Sequence, residues 1–251
     1  MEEIQIKTPE EIEAQRHAGV ILTEALNLLE ASAKPGMTTM DLDKLAEDFI
    51  RSHAGCTPGF KGYHGFTGTI CASINDEVVH GIPRSERVLK DGDIIGIDCG
   101  VMFKKLHTDA CRTVIVGAVD SKISRFVKTT QKSLQMCLQM VKPGGRIGDI
   151  SAEIQRVLEE GGYAPVVECC GHGVGYDLHE APEILNMGHK GKGPIMKAGM
   201  VLAIEPIALI EPSEIYTAKD NWTILSRNHA LSAHFEHTVL VTDDGHEVLA
   251  Y

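Results

Sequence analysis

Four acidic residues stand in matched surroundings along this chain. Asp98 closes the apolar run Ile94-Ile95-Gly96-Ile97, and Glu205 closes Val201-Leu202-Ala203-Ile204. Asp109 ends His107-Thr108-Asp109 ahead of Thr113-Val114-Ile115-Val116, and Glu236 ends His234-Phe235-Glu236 ahead of Thr238-Val239-Leu240-Val241. One Asp or Glu at a strand end is ordinarily a solvated turn residue. Four in a repeated pattern converge if the repeats pack about a common axis, and buried carboxylates without counter-charge suffer both desolvation and mutual repulsion. Divalent cations remove that conflict. Oxygen ligands with an imidazole suit manganese, iron, cobalt or zinc, and shared carboxylates favour a two-metal centre.

Histidines supply the imidazole. His172 lies in the glycine-rich stretch Cys170-Gly171-His172-Gly173-Val174-Gly175, read as a turn whose glycines allow unusual backbone angles and close approach. His179-Glu180 follows, and His80-Gly81-Ile82-Pro83 puts another His in similar company in the first half. A single loop His is usually exposed or satisfied, so these gain meaning only beside the carboxylates. The glycine stretch lacks the Walker lysine and the dinucleotide spacing, and no Gly-x-Ser-x-Gly elbow exists, which argues against phosphate cradles and serine hydrolases.

The elements that must position these groups are duplicated. Thr8-Pro9-Glu10-Glu11 starts a helix with a capping Thr, a first-turn Pro and a capping-box Glu, and Lys34-Pro35-Gly36 stops it. A second helix starts near Thr38 or Thr39, with Leu42, Leu45, Ala46, Phe49 and Ile50 on its apolar face. The plan returns as a helix from about Ser124 to Val141, a stop at Lys142-Pro143-Gly144, and a helix through Asp149-Ile150 to about Glu160. The expected architecture is α+β: two pseudo-twofold-related halves, about 1–120 and 121–251, with sheets inside and helices outside. No linker separates them, so residues 1–251 read as one domain.

Composition narrows the function classes. A net charge of -11 gives no general attraction to nucleic-acid phosphates. The best membrane candidate, Met200 to Ile210, is interrupted by Glu205 and Pro206. The start Met1-Glu2-Glu3 lacks a secretory pattern. The seven cysteines contain no Cys-x-x-Cys pair and read as reduced thiols of a cytoplasmic protein, with Cys169 and Cys170 as packing residues.

From Ile6-Lys7-Thr8-Pro9-Glu10-Glu11-Ile12 to the closing strands, the sequence resembles the type I methionine aminopeptidases, of the pita-bread fold. The blocks that carry the resemblance are Gly62-Tyr63-His64-Gly65-Phe66, Ser73-Ile74-Asn75-Asp76-Glu77-Val78-Val79-His80-Gly81-Ile82-Pro83, Gly171-His172-Gly173-Val174-Gly175, Ile204-Glu205-Pro206 and Glu236-His237-Thr238. The resemblance implies metal-dependent removal of the amino-terminal methionine from peptides and nascent proteins, fastest before a small second residue. It implies two divalent ions held by Asp98, Asp109, His172, Glu205 and Glu236, with Asp109 and Glu236 bridging, Asp98 completing one site, and His172 with Glu205 the other. It further implies Glu205 as general base, His179 at the substrate carbonyl and developing oxyanion, His80 at the substrate amide, and a methionine pocket of Tyr63, Phe66, Cys71, Leu178 and Trp222.

Some positions depart from the family pattern. Phe60 stands where many relatives have a small residue, Leu178 replaces a usual aromatic, and Ala110-Cys111 replaces a more hydroxylated pair. The segment before Cys170 is about one residue shorter. These bear on pocket size and on the surroundings of the metals, not on the ligands. Two rival readings share the fold: a proline-directed aminopeptidase, whose relatives usually carry an extra amino-terminal domain, and a non-catalytic binding module, which would lose metal ligands. A type II enzyme would carry a helical insertion between Glu205 and Glu236, where only about 30 residues stand. The expected state is a monomer, with ribosome association as a further expectation for an enzyme of nascent chains.

Overall fold

The computed structural model describes residues 3–251; Met1 and Glu2, part of the acidic start discussed above, lie outside the described residues. The first half runs α1 (Pro9–Ser32), α2 (Thr39–Ser52), β1 (Cys56–Pro58), β2 (Ile70–Ile74), β3 (Glu77–Val79), β4 (Ile94–Phe103) and β5 (Leu106–Ile115). The second runs α3 (Ser121–Cys137), α4 (Ile147–Glu160), β6 (Ala164–Pro165), β7 (Cys170–Gly173), β8 (Glu180–Leu185), β9 (Val201–Ile204) and β10 (Ile207–Leu209). It closes with β11 (Ile215–Thr217), β12 (Ile224–Ser226), β13 (Ser232–His234), β14 (His237–Val241) and β15 (His246–Ala250).

Helix starts follow their capping chemistry. Thr8 and Glu11 form the expected reciprocal capping box, and Thr38 and Asp41 form a second one ahead of α2. In the second half α3 begins at Ser121, earlier than the expected Ser124, because the Asp120 side chain accepts the Ile123 N–H and caps it there. It ends at Cys137, and a 3₁₀ turn over Leu138–Met140 completes the segment.

In the first half β4 hydrogen-bonds along its length to β5 and, on its other edge, to β1 and β2 in succession. Helices α1 and α2 cover this sheet through Leu22, Leu26, Leu29, Leu42 and Ile50, which meet Ile95, Ile97 and Val101. In the second half the order is β15-β14-β9-β7-β8, with α3 and α4 packed through Phe126, Leu134, Ile150, Ile154 and Leu158 on Leu202, Ile204 and Val239. The fold is therefore α+β, with antiparallel sheets inside and paired helices outside.

The halves are stitched at equivalent places. Cys111 and Glu236 form an antiparallel backbone bridge. At the matching pair, the Thr238 hydroxyl accepts the Asp109 N–H at 2.8 Å and donates to the Asp109 carbonyl at 2.6 Å. Asp109 and Glu236 are thus each held against the other's strand across the pseudo-axis. Strand β3 of the first half also pairs with β12 of the second. No helix among the described residues is long and apolar enough to cross a membrane.

Two expectations about the strands need correction. Asp109 does not start its strand; β5 already runs from Leu106. Asp98 does not end its strand; it lies within β4, which continues to Phe103. The cause is the Lys104-Lys105 turn, whose two positive φ values of 50° and 65° suit a tight hairpin and keep β4 and β5 paired from Ile94↔Ile115 to Phe103↔Leu106. Glu205, in contrast, does leave its strand. Pro206 has no N–H to donate, so β9 stops at Ile204 and pairing resumes only at Ile207↔His234. Glu205 and Glu236 face each other across that interruption.

Candidate metal centre and active site

Strand alternation decides which face the first two acids share. On the β4–β5 hairpin, Asp98 pairs with Cys111 and Gly100 with Asp109, so Asp98 and Asp109 are diagonal neighbours on one face. The opposite face, with Ile97, Cys99 and Val101, belongs to the core. Gly100 is forced: a Cβ there would lie 2.6 Å from the Phe60 ring. Cys71 pairs with Asp98 across β2, which puts the thiol beside the acid.

His172 comes from β7, and here the glycines act differently from the turn read in sequence. The segment is a strand squeezed between β8 and β9. A Cβ at Gly171 would meet the Ala203 carbonyl at 2.5 Å, and one at Gly173 the Ala181 carbonyl at 2.3 Å. Neither glycine has a positive φ. Close strand approach, not unusual backbone angles, is what requires them. The His172 Nδ1–H donates to the Gly173 carbonyl at 2.9 Å, which leaves Nε2 free to face the acids.

The groups meet at the seam between the halves. One donor atom each from Asp109, His172 and Glu236 lie within 4.8 Å of one another. His172 Nε2 is 3.6 Å from Glu205 Oε1. His234 Nε2 is 3.1 Å from Glu205 Oε2 and 4.0 Å from Glu236 Oε2. The contact to Glu205 has ion-pair distance without hydrogen-bond alignment, so Nε2 lacks an aligned partner. Asp98 Oδ1, Asp109 Oδ1 and Glu236 Oε1 are buried without any partner.

The protonation of this protein-only cluster follows. Burial first, then the neighbouring carboxylates, push Asp109 and Glu236 well above the usual carboxylate range. Burial raises Asp98 to about 6. Glu205 goes the other way: burial opposes ionisation, but His234 and His172 outweigh it and hold the carboxyl low. His234 is raised in turn, against its burial, by Glu205. Buried oxygens that repel one another, lack donors and converge with an imidazole are a donor set that a divalent cation completes. The residues present therefore fit a metal centre.

Beside the acids is a cavity of about 270 Å³. Its apolar wall is Phe60, Phe66, Cys71 and Leu178, with Tyr63, Ile82 and Trp222 packed against them. All five expected pocket residues are in it. The Phe66 and Trp222 rings meet edge to face at 5.1 Å between centroids. His80, held in the left-handed region at φ 58°, and His179 stand at the polar wall. His179 Nδ1 is 3.0 Å from the Tyr63 hydroxyl, and its ring is 4.3 Å from that of His172. Lost hydration and the adjacent His172 lower His179 to about 4, and burial lowers His80. Both are neutral near pH 7.

Sequence reasoning missed His234 as a site residue. Its signal was present: His234 and Glu236 are two apart, the spacing that puts side chains on one face of an extended segment. Its counterpart in the repeat, His107, is not in the cavity. Cys169 and Cys170, expected to be packing residues, are partly exposed and line the cavity wall. All seven cysteines are free.

Leu178 is 3% exposed and fully engaged in the apolar wall. Leu178→Phe adds volume to that apolar wall. For the methionine-removing activity that the resemblance implies, the methionine-to-leucine cleavage ratio is expected to fall by about tenfold, the low end of what a methylene-sized change commands. Competition between Met-Ala-Ser and Leu-Ala-Ser peptides, read by mass spectrometry, measures it; an unchanged ratio removes Leu178 from the determinants of specificity.

Comparison with known proteins agrees with this geometry. Metallopeptidase family M24 matches residues 13–243. The chain is 45% identical over 244 residues to a methionine aminopeptidase of Clostridium acetobutylicum, covering 97% of each sequence. It superposes on the crystal structure of methionine aminopeptidase from Thermotoga maritima with a TM-score of 0.96 and 40% identity, over 98% of this chain and 99% of that one. A prolidase from Pyrococcus furiosus shares the fold, with a TM-score of 0.78 at 23% identity over 98% of this chain and 65% of that one. The architecture is the pita-bread fold, and the chain belongs to metallopeptidase family M24, in its methionine aminopeptidase branch.

Proposed function

We propose that this chain is a metal-dependent aminopeptidase that removes the amino-terminal methionine of peptides and nascent proteins, preferring a small second residue. The observation that carries the reading is the junction of two environments: a buried cluster of unpartnered carboxylates with an imidazole, opening directly onto an apolar cavity. Divalent metal use follows from the family and the donor set. The finer assignment is two ions, of manganese, iron, cobalt or zinc. Asp98, Asp109, His172, Glu205 and Glu236 would hold them.

Bound divalent ions acidify water and polarise a carbonyl. The remaining work falls to the side chains. Glu205, kept ionised by His234 and His172, accepts the proton from the attacking water and passes it to the departing amine. Neutral His179, oriented by Tyr63, presents a ring N–H to the substrate carbonyl as charge develops on its oxygen. His80 contacts the substrate amide near the leaving group. Tyr63, Phe66, Cys71, Leu178 and Trp222 receive the methionine side chain, and dispersion with a thioether suits their aromatic and sulfur surfaces.

The chain acts as one catalytic domain and as a monomer in the cytoplasm, meeting nascent amino termini near the ribosome. The seam-built site supports the first of these, because each half supplies ligands. The acidic charge and the free cysteines are compatible with the cytoplasm. Peptides Met-Ala-Ser, Met-Leu-Ser, Leu-Ala-Ser and Ala-Pro-Ser, with manganese or cobalt and again with chelator, test the activity by mass spectrometry. Metal-dependent loss of methionine only, fastest before alanine, is expected. Cleavage of Ala-Pro-Ser would move the assignment to a proline-directed peptidase, and no cleavage by metal-loaded protein would favour a binding module.

A further inference from the structure

The segment between β7 and β8 carries two cavity residues, Leu178 and His179, yet past Val174 and Gly175, whose backbones bond to Val201 and His107, it is a loop with no ladder hydrogen bonds of its own. Its support comes from the far end of the chain. Lys7, in the extended segment before α1, anchors its backbone by donating its N–H to the Gly199 carbonyl at 2.9 Å. Its side chain then runs under the loop, and Nζ reaches Glu180 Oε2 at 2.6 Å. The two side chains are only 1% and 7% exposed.

Glu180 immediately follows His179. Its second oxygen accepts the Asp177 N–H at 3.0 Å, so one carboxylate holds both ends of the turn that contains Leu178 and His179. Gly175 leaves the passage for the lysine: a Cβ there would lie 2.1 Å from Lys7 Cε and 2.8 Å from Nζ. Its φ is not positive, so the backbone itself makes no demand for glycine. The Lys7 ammonium also lies 4.8 Å from the Tyr176 ring centroid. Gln15 of α1 steadies the loop's start by donating to the Val174 carbonyl at 3.2 Å.

A buried ammonium–carboxylate pair is a poor way to gain stability, because two apolar side chains of similar volume hold a core as well without the desolvation cost. What the pair supplies is direction. It fixes the loop from beneath while Tyr63 meets the His179 ring from the cavity side. We propose that Lys7 is a positioning residue for the peptidase reaction: through its buried ion pair with Glu180 it fixes the His179 imidazole at the substrate carbonyl. This inference rests on the reading of His179 given under Proposed function.

Kinetics of the metal-loaded enzyme on Met-Ala-Ser test it. Lys7→Met is expected to lower kcat about tenfold, since small misplacements of a catalytic group are costly, with KM within about twofold and metal content unchanged. In a His179→Ala background the same substitution is expected to change kcat by less than about twofold, because the lysine acts through that ring. Imidazole-nitrogen NMR supplies a second readout, with the His179 resonances shifted or broadened in Lys7→Met. If an unpaired Glu180 prevents folding, the apolar pair Lys7→Met with Glu180→Leu keeps the burial and is expected to show the same loss of kcat. Wild-type kcat in these variants beside a slow His179→Ala overturns the inference alone. An equal loss with and without the His179 side chain overturns it too, leaving the lysine a fold-holding role only. Wild-type kcat in His179→Ala overturns the reading of His179 and the inference with it.

Discussion

Glu205→Gln is expected to retain metal and fold and to lose turnover by at least about 10²-fold, the lower end of what a general base contributes. The substitution is close to isosteric, so the contacts with His172 and His234, at 3.6 and 3.1 Å, remain sterically available. An amide oxygen can still serve as a metal ligand. What disappears is the capacity to take up a proton, which Glu205 has because the two histidines keep it ionised in a place where burial alone would neutralise it. The loss is therefore expected in kcat, with little change in KM, since binding the peptide's side chain depends on the apolar wall. Metal analysis of the purified variant must accompany the kinetics. Near-normal turnover with full metal content would remove Glu205 from the proton-transfer role. Low turnover together with lost metal would show only that the residue is a ligand.

The reach of the sequence is uneven, and the reasons are physical. Capping chemistry is local, so Thr8, Glu11, Thr38 and Asp41 advertise their helices, and the repeated Lys-Pro-Gly stops reveal the duplicated plan. The proposed ligands Asp98, Asp109, His172, Glu205 and Glu236 were legible as a set, because the repeat matched four of them and the family pattern supplied the fifth. Register was not legible. Whether Asp98 ends its strand or sits inside it depends on two lysines accepting left-handed backbone, and Lys104 and Lys105 carry no local signal for that. Gly100 and Phe60 are a steric pair formed across separate elements, as are Gly175 and Lys7. Such complementarity exists only after the fold is assembled. His234 was obscured by its match to His107, since a repeat in sequence does not oblige both copies to face the same cavity.

Stripping the metal is expected to abolish turnover and to give the protein a pH dependence of stability opposite to that of an ordinary paired carboxylate. Asp98 has an ordinary value of 3.8 and rises to about 6 in the protein-only cluster, and burial with the neighbouring carboxylates also raises Asp109 and Glu236 well above the usual carboxylate range. The folded, metal-free protein thus holds protons that the unfolded chain has released. Stability then falls as pH rises from about 4 through 6 and beyond, because the native state binds more protons across that window. His234 contributes with the same sign: raised by Glu205, it stabilises while protonated and loses that stabilisation as pH rises. Glu205 has the opposite sign, but its depressed value confines its effect to the acid end, where it becomes protonated. Divalent cations take the place of these protons, so affinity should strengthen with pH and loading should release protons. Urea unfolding between about pH 5 and about pH 8, with chelator and with manganese, checks the sign. Metal-free stability should decline across the range while metal-loaded stability stays much flatter, so the gap between the two widens toward alkaline pH. A metal-free profile that stays level or climbs would mean that the carboxylates find counter-charge elsewhere, and the case for a cation as what completes this seam would lose its electrostatic basis.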